Sequence, residues 1–447
     1  METIIAQATP LGESAIAIIR VSGINCRQII KNACKITKIQ PRHANLSDYI
    51  GINGNYIDQV IITFFEKGKS YTGEECLEIS CHGNPMIAEQ LCEDLINRGC
   101  RLAEPGEFTK LAFLNGKIDL SQAESVAEII SAKNNKHLAA ALRNLKGDLS
   151  SRLTEIQDKI LTLQASIEAY IDFPEDELGA EDLISINKLT KSIISSVKNI
   201  LYQASQTDFL KKNIRIALVG LPNAGKSSLF NELLGRKRVL VHEKAGTTRD
   251  YIEHDIRIKS NWVTIVDTAG IHESINSVEM AGVELSREQI VDSDIILWVI
   301  DNSVPYPADQ FDEILEMIKN NPKLLILNKI DLPSHLKIKT NLNVKVKRIS
   351  CSTQEGISDL VNEIGEIISE INGEDNETLL IGKRHETLFS SCLDDVLQFE
   401  KLIYTSAGYE LASIHLSSAR AAVDEIIGIK TTENMLDKLF EQFCIGK

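Results

Sequence analysis

The stretch IRIALVGLPNAGKSS, Ile214 to Ser228, decides how the middle of the chain is read. An apolar strand pattern runs directly into G-x-x-x-x-G-K-S, Gly220 to Ser227, and a helical pattern follows. Strand, glycine loop and helix in that order are the context in which this motif cradles phosphates. The glycines let backbone N–H groups wrap phosphate oxygens, Lys226 reaches the β and γ oxygens, and the Ser227 hydroxyl is placed to ligate Mg²⁺. Asn223, Ala224, Gly225, Lys226, Ser227 and Ser228 are therefore the predicted phosphate-loop contacts.

Working outward, short and nearly all-apolar runs alternate with helical stretches: VTIVDTAG, IILWVID, KLLILNKID and VKRISC. This pattern predicts a parallel sheet covered on both faces, an α/β domain over residues 213–373. Asp267 ends one strand, where its carboxylate can hold Mg²⁺ through water, and Thr268, Ala269 and Gly270 follow it toward the γ-phosphate. Upstream, AGTTRD places Thr247 and Thr248 in a loop, with Thr248 completing the magnesium shell. Asn328, Lys329 and Asp331 of NKID follow another strand. A carboxylate there accepts hydrogen bonds from guanine N1–H and its exocyclic amine, which adenine cannot supply, so GTP is the predicted nucleotide. The base-backing element SCS, Ser350 to Ser352, departs from the common Ser-Ala-Lys-like form, and its backbone N–H at Ser350 is the expected contact.

Ile271 stands where a Ras-type enzyme carries the glutamine that orients water, so another group must do so. Asn223 has two readings. Its side-chain oxygen can direct a monovalent cation to the phosphates in place of an arginine finger, with carbonyls of the loop His242 to Thr247 completing the site, or it braces the loop. Glu279, Arg249 and Arg287 are the candidates for orienting water or charge.

The remaining chain is of two kinds. Residues 1–117 alternate β-rich runs such as AIAIIRVS and QVIITFF with turn clusters and a helical stretch after Pro85, predicting an α+β domain. From Leu120 apolar residues recur at helical spacing, interrupted at Pro174 and resuming from about Leu183 to Leu210; the same periodicity returns from about Thr378 to the end. The economical architecture is a helical domain, residues 118–212 and 374–447, into which the α/β domain is inserted. At 447 residues the chain is long enough for several cores. No apolar run reaches the length of a membrane span and the N-terminus lacks signal-peptide regions, which predicts the cytoplasm. Nine cysteines without a C-x-x-C pair read as reduced thiols. A net charge of −15 argues against broad nonspecific nucleic-acid binding and requires any RNA contact to use a local basic patch.

GLPNAGKSSL and AGTTRD, together with EPGEF from Glu104, FLNGKIDLSQAE from Phe113 and the terminal CIGK, closely resemble the MnmE (TrmE) family of tRNA modification GTPases, over essentially all 447 residues. The resemblance implies an N-terminal α+β tetrahydrofolate-binding and dimerisation domain, a helical domain and an inserted Ras-like α/β P-loop G domain. It implies a homodimer that joins an FAD- and NADH-using partner, MnmG (GidA), in a heterotetramer acting on tRNA. The expected product is a carboxymethylaminomethyl or aminomethyl group at C5 of the wobble uridine, its one-carbon unit drawn from methylene-tetrahydrofolate. Carried over by motif, Arg20, Glu78, Lys117 and Lys447 contact a 5,10-methylene- or 5-formyl-folate; Asn223, Thr247 and carbonyls around His242 and Lys244 hold K⁺; Glu279 positions water indirectly. The family usually has Thr and an apolar residue where His242 and Lys244 stand. Cys444 in the tail is the candidate nucleophile, and a thiol in that role needs a cation such as Lys447 to favour its ionised form. The alternative is a regulatory switch GTPase of the ribosome-assembly kind, which folate binding by residues 1–117 would discriminate. A membrane-remodelling GTPase is disfavoured for want of an amphipathic membrane segment or lipidation signal.

Overall fold

A computed structural model describes residues 2–172, 180–211, 213–235, 252–259, 261–267, 293–307, 314–316, 318, 323–336, 344–372, 379–403 and 408–447. The chain divides into two compact units, one of residues 1–131, 140–207 and 379–447, the other of 132–139 and 208–378.

The first unit opens with a six-stranded sheet. Its strands are β1 (Thr3–Gln7), β2 (Ile16–Ser22), β3 (Ala44–Ile50), β4 (Tyr56–Phe65), β5 (Cys76–His82) and β6 (Cys100–Leu102), in the order β3-β4-β5-β2-β1-β6. All neighbours are antiparallel except β1 and β6. Alternation along the strands explains the two faces. Ile19, Val21, Leu77, Ile79, Val60 and Ile62 point to one side and bury there under α1 (Cys26–Ala33) and α2 (Pro85–Asn97). Arg20 and Glu78, the intervening residues, pair in register on the other face. Asn84 caps α2 by accepting a hydrogen bond from the Met86 amide, and Pro85 at the first helical position loses no bond there.

After α3 (Glu107–Leu114) come four helices, α4 (Leu120–Ser131), α5 (Asn135–Lys146), α6 (Asp148–Asp172) and α7 (Ala180–Lys211), so the helical stretch from Leu120 to the break at Pro174 holds three helices. Gly147, at φ +101°, makes one of the breaks. The chain returns to this unit at Leu379 and adds α10 (Lys383–Leu402), α11 (Tyr409–Ile427) and α12 (Glu433–Phe440). Leucine, isoleucine and phenylalanine faces of α6, α7, α10 and α11 form one core. The return is pinned by charge as well. Arg384 Nε donates to Glu124 Oε1 at 2.7 Å, His385 Nε2 lies 2.5 Å from Glu124 Oε2, and Asn144 Nδ2 donates to the Leu380 carbonyl at 2.6 Å. Burial alone would raise the Glu124 pKa, but the facing His385 and Arg384 charges override it and hold the carboxyl down at about 2.

The second unit is built on a six-stranded sheet of β7 (Ile214–Val219), β8 (Ile252–Ile258), β9 (Asn261–Asp267), β10 (Ile295–Asp301), β11 (Lys323–Asn328) and β12 (Lys345–Arg348), in the order β12-β11-β10-β7-β9-β8. Every pairing is parallel except β8 with β9. Strands buried on both faces carry no alternation, and β10 buries Ile295 through Ile300, Trp298 included. Described helices of this unit include α8 (Lys226–Gly235) and α9 (Ile357–Asn372), which pack on one face. Strand β7 lies between β9 and β10, where the connections change direction, and the crevice beyond its carboxyl end is where such sheets bind ligands.

Among the described residues no helix is long and apolar enough to cross a membrane. All nine cysteines carry free thiols.

Candidate functional site

The phosphate loop connects β7 to the first turn of α8. Gly225 adopts φ +94°, and a Cβ there would stand 2.1 Å from Asn328 Nδ2, so glycine is required twice over, by backbone conformation and by space. Asn223 sits at φ +64°, a left-handed conformation that asparagine tolerates better than most residues. Lys226 is buried, and its ammonium donates to the Gly220 and Leu221 carbonyls at 2.8 and 2.9 Å. The charge is thus folded over the mouth of the loop. Ser227 and Ser228 are exposed at the start of α8, a helix end that favours anions.

The residues of NKID and SCS converge on the same loop. Asn328 is buried and donates from Nδ2 to the Ala224 carbonyl at 3.0 Å while its Oδ1 accepts from the Cys351 amide at 3.3 Å. Lys329 donates to the Asn223 carbonyl at 2.9 Å and to Asp301 Oδ2 at 2.6 Å. Burial would raise the Asp301 carboxyl, but Lys329 and the Ser303 hydroxyl and amide hold it below the usual carboxylate range. Asp331 is exposed and accepts from the buried Ser350 hydroxyl at 2.6 Å, which leads the effects that depress its pKa. Three strand ends therefore brace one phosphate loop and present one carboxylate.

Asp267 ends β9 next to β7, with its backbone paired to Leu218. Its side chain, Thr268, Ala269, Gly270, Thr247, Thr248, His242, Lys244, Glu279, Arg249 and Arg287 lie outside the described residues. Among the described residues no cluster of three or more His, Cys, Asp or Glu could hold a metal. The exposed Ser227 hydroxyl at the start of α8 is a donor of the kind a nucleotide-borne Mg²⁺ takes, an ion that uses few protein oxygens and completes its shell with phosphates and water.

A second constellation lies on the open face of the first sheet. Arg20 Nε and Nη2 donate to Glu78 Oε1 at 3.1 and 2.9 Å, and Nη1 donates to the Gly446 carbonyl at 3.1 Å. The guanidinium stands 5.9 Å from the Tyr71 ring centroid and 5.8 Å from that of Phe108. The chain end is a docked element. Phe440 and Phe443 stack at 5.1 Å and bury with Leu120, Ala123 and Val126 of α4. Beyond them the Cys444 carbonyl accepts from the Gly106 amide at 3.4 Å and the Lys447 amide at 3.3 Å, a turn that carries Gly446 at φ +91°. The Cys444 thiol is exposed. Lys117 belongs to a flanking loop: its ammonium donates to the Gly68 carbonyl at 2.7 Å, while Asn115 Nδ2 donates to the Thr72 carbonyl at 2.7 Å.

Arg20, Glu78 and the tail are thus brought together, with Lys117 bonded to the loop 68–73 that carries Tyr71. Tyr71 and Phe108 were not legible as partners of Arg20. The available signal was their setting: Tyr71 stands in a Ser-Tyr-Thr-Gly turn, and Phe108 lies in the first turn of a helix that starts just after Pro105-Gly106.

Comparison with known proteins gives two family profiles, one described as the GTP-binding protein TrmE N-terminus over residues 3–117, the other as the MnmE helical domain over residues 120–444. The tRNA modification GTPase MnmE of Aquifex aeolicus is 38% identical over 448 residues, covering the whole of both chains. The chain belongs to the MnmE family. MnmE of Carboxydothermus hydrogenoformans is 37% identical over 462 residues, all of this chain and 99% of that one, and MnmE of Thermotoga maritima is 35% identical over 457 residues, the whole of both. This member of the MnmE family is accordingly a GTP-hydrolysing enzyme of tRNA modification.

Proposed function

We propose that this chain is a K⁺-dependent GTPase that, with an FAD-dependent MnmG-type partner, adds a carboxymethylaminomethyl or aminomethyl group to C5 of the wobble uridine of certain tRNAs. In this reading residues 1–117 bind a reduced folate and join two copies of the chain, residues 118–212 and 374–447 form the helical domain, and residues 213–373 turn over GTP.

The observation that carries the reading is the bond from Arg20 to the Gly446 carbonyl, which ties the chain end to the Arg20–Glu78 pair inside an aromatic frame. A pteridine-like ring has apolar faces and donor and acceptor edges. Tyr71 and Phe108 offer faces, while Glu78 and Arg20 offer an acceptor and donors for the edges. Folate, when bound, supplies the one-carbon unit. Lys117 and Lys447 would hold its acidic portion, and Cys444, exposed on the docked turn, is the group available to attack the uridine ring.

In the G domain, Lys226 and the α8 N-terminus hold the β- and γ-phosphates, Ser227 and Thr248 ligate Mg²⁺, and Asn328, Lys329 and Asp331 select guanine. Asn223, Thr247 and the carbonyls near His242 and Lys244 are assigned to K⁺, which supplies positive charge at the phosphates, and Glu279 to the ordering of water. Hydrolysis is then faster in KCl than in NaCl at equal ionic strength, and equal rates remove the cation from the scheme.

The deciding experiment is mass spectrometry of wobble-uridine nucleosides from a host lacking this chain. Loss of the C5 modification supports the proposal. An unchanged profile overturns it and leaves the switch-GTPase reading.

A further inference from the structure

The base-backing element SCS lacks the lysine-like third residue common in GTPases, and what stands there instead makes bonds of its own. Ser350 is fully buried, and its oxygen has three polar neighbours: Asp331 Oδ1 at 2.6 Å, Ser352 Oγ at 2.9 Å and the Thr353 amide at 3.1 Å. The protons on these bonds can be assigned. A carboxylate only accepts, so the single Ser350 proton goes to Asp331. The Thr353 N–H donates to Ser350 Oγ. With its own proton committed, Ser350 can only accept from Ser352, so the Ser352 hydroxyl is the donor. Ser350 Oγ therefore accepts twice and donates once, an arrangement in which each incoming bond polarises the hydroxyl and strengthens the one it gives away.

We propose that Ser352 is a positioning residue for guanine selection, acting through Ser350 to hold Asp331 in the orientation that reads the base. The need for such a device is physical. Asp331 is exposed, so its carboxylate is free to turn and to be solvated, whereas N1–H and the exocyclic amine of guanine require both oxygens in the plane of the base. Pinning one oxygen beforehand reduces the ordering cost of binding. The pKa of Asp331 is depressed, and the Ser350 hydroxyl leads the effects that lower it, which agrees with a carboxylate stabilised in its charged form. The departure of SCS from the common motif is on this account a substitution of one support for another.

The inference rests on Asp331 being the base reader, and the test separates the two. Dissociation constants of GDP and IDP are measured by calorimetry on the full-length protein. Inosine lacks the exocyclic amine, so it uses only part of what the positioned carboxylate offers. Ser352→Ala is expected to weaken GDP about threefold to tenfold, the range of one hydrogen bond, and IDP less, so that the GDP-to-IDP preference falls. Ser352→Thr, which keeps the hydroxyl, is expected to restore both. Unchanged GDP affinity in Ser352→Ala, equal weakening of GDP and IDP, or failure of threonine to restore them overturns the proposal. Asp331→Asn checks the base reading itself. An amide can donate to the C2 carbonyl of xanthine where the carboxylate accepted from the amine of guanine, so preference moves from GDP to XDP. If it moves while Ser352→Ala is silent, only the relay fails; if it does not move, the base reading and the relay fall together.

Discussion

The nucleotide site and the Arg20 constellation are built in opposite ways. Around the phosphate loop, each functional group belongs to a short contiguous motif at the end of a parallel strand, and parallel β7, β10 and β11 bring those ends to one edge. Around Arg20, five groups come from separate segments, at positions 20, 71, 78, 108 and 446, and one bond joins residues 426 apart in sequence. Regular sheet geometry assembles the first. Long-range closure assembles the second, which makes it the more dependent on the rest of its unit.

The largest test of this contrast removes the phosphate-loop ammonium. Lys226→Ala should slow GTP hydrolysis by about 100-fold or more, the scale of losing one preorganised transition-state donor, while folate binding measured calorimetrically persists. Loss of both together would break the contrast.

Glu124→Gln comes next. It leaves Arg384 and His385 facing no carboxylate in a part-buried site, and such losses cost about 3–5 kcal/mol. The same group gives a pH test. Because its folded pKa is depressed from 4.5 to about 2, its contribution is present above pH 4.5 and is lost as pH falls through that window. Helical circular dichroism during urea unfolding should show the wild type losing stability there and the glutamine variant losing less.

Arg20→Ala removes charge-assisted bonds worth about 1.5–3 kcal/mol. Folate affinity should fall roughly 10- to 100-fold, and the chain end should become accessible to carboxypeptidase. A tail that stays protected would show that Phe440 and Phe443 alone hold it.

The smallest effect belongs to Gly446→Ala. At φ +91° an added Cβ costs about 1–2 kcal/mol and would stand 2.9 Å from the Gln7 carbonyl oxygen. Tail protection should fall modestly, with GTP hydrolysis as the internal control.

These contrasts also mark where reading residues in order succeeds. The apolar runs ending in glycine or aspartate announced parallel strands, because a strand buried on both faces cannot carry polar residues except where it leaves the sheet. The helical runs were equally plain, although the break at Gly147 was not, since a single glycine in a periodic stretch is compatible with an unbroken helix. The docking of the tail was not legible, because Gly and Lys after a helix are equally an ordinary helix stop.

Sequence by itself determined the glycine loop between strand and helix, the strand that ends in NKID and the change of pattern near residue 213, since each depends on neighbours within a few positions. Tertiary structure alone decided that Arg20 meets Gly446 between Tyr71 and Phe108, and that Ser350 stands within hydrogen-bonding distance of both Asp331 and Ser352. Those contacts depend on β2/β5 register, on the burial of Phe440 and Phe443, and on which hydroxyl has its proton already committed, and none of these is a property of a linear spacing.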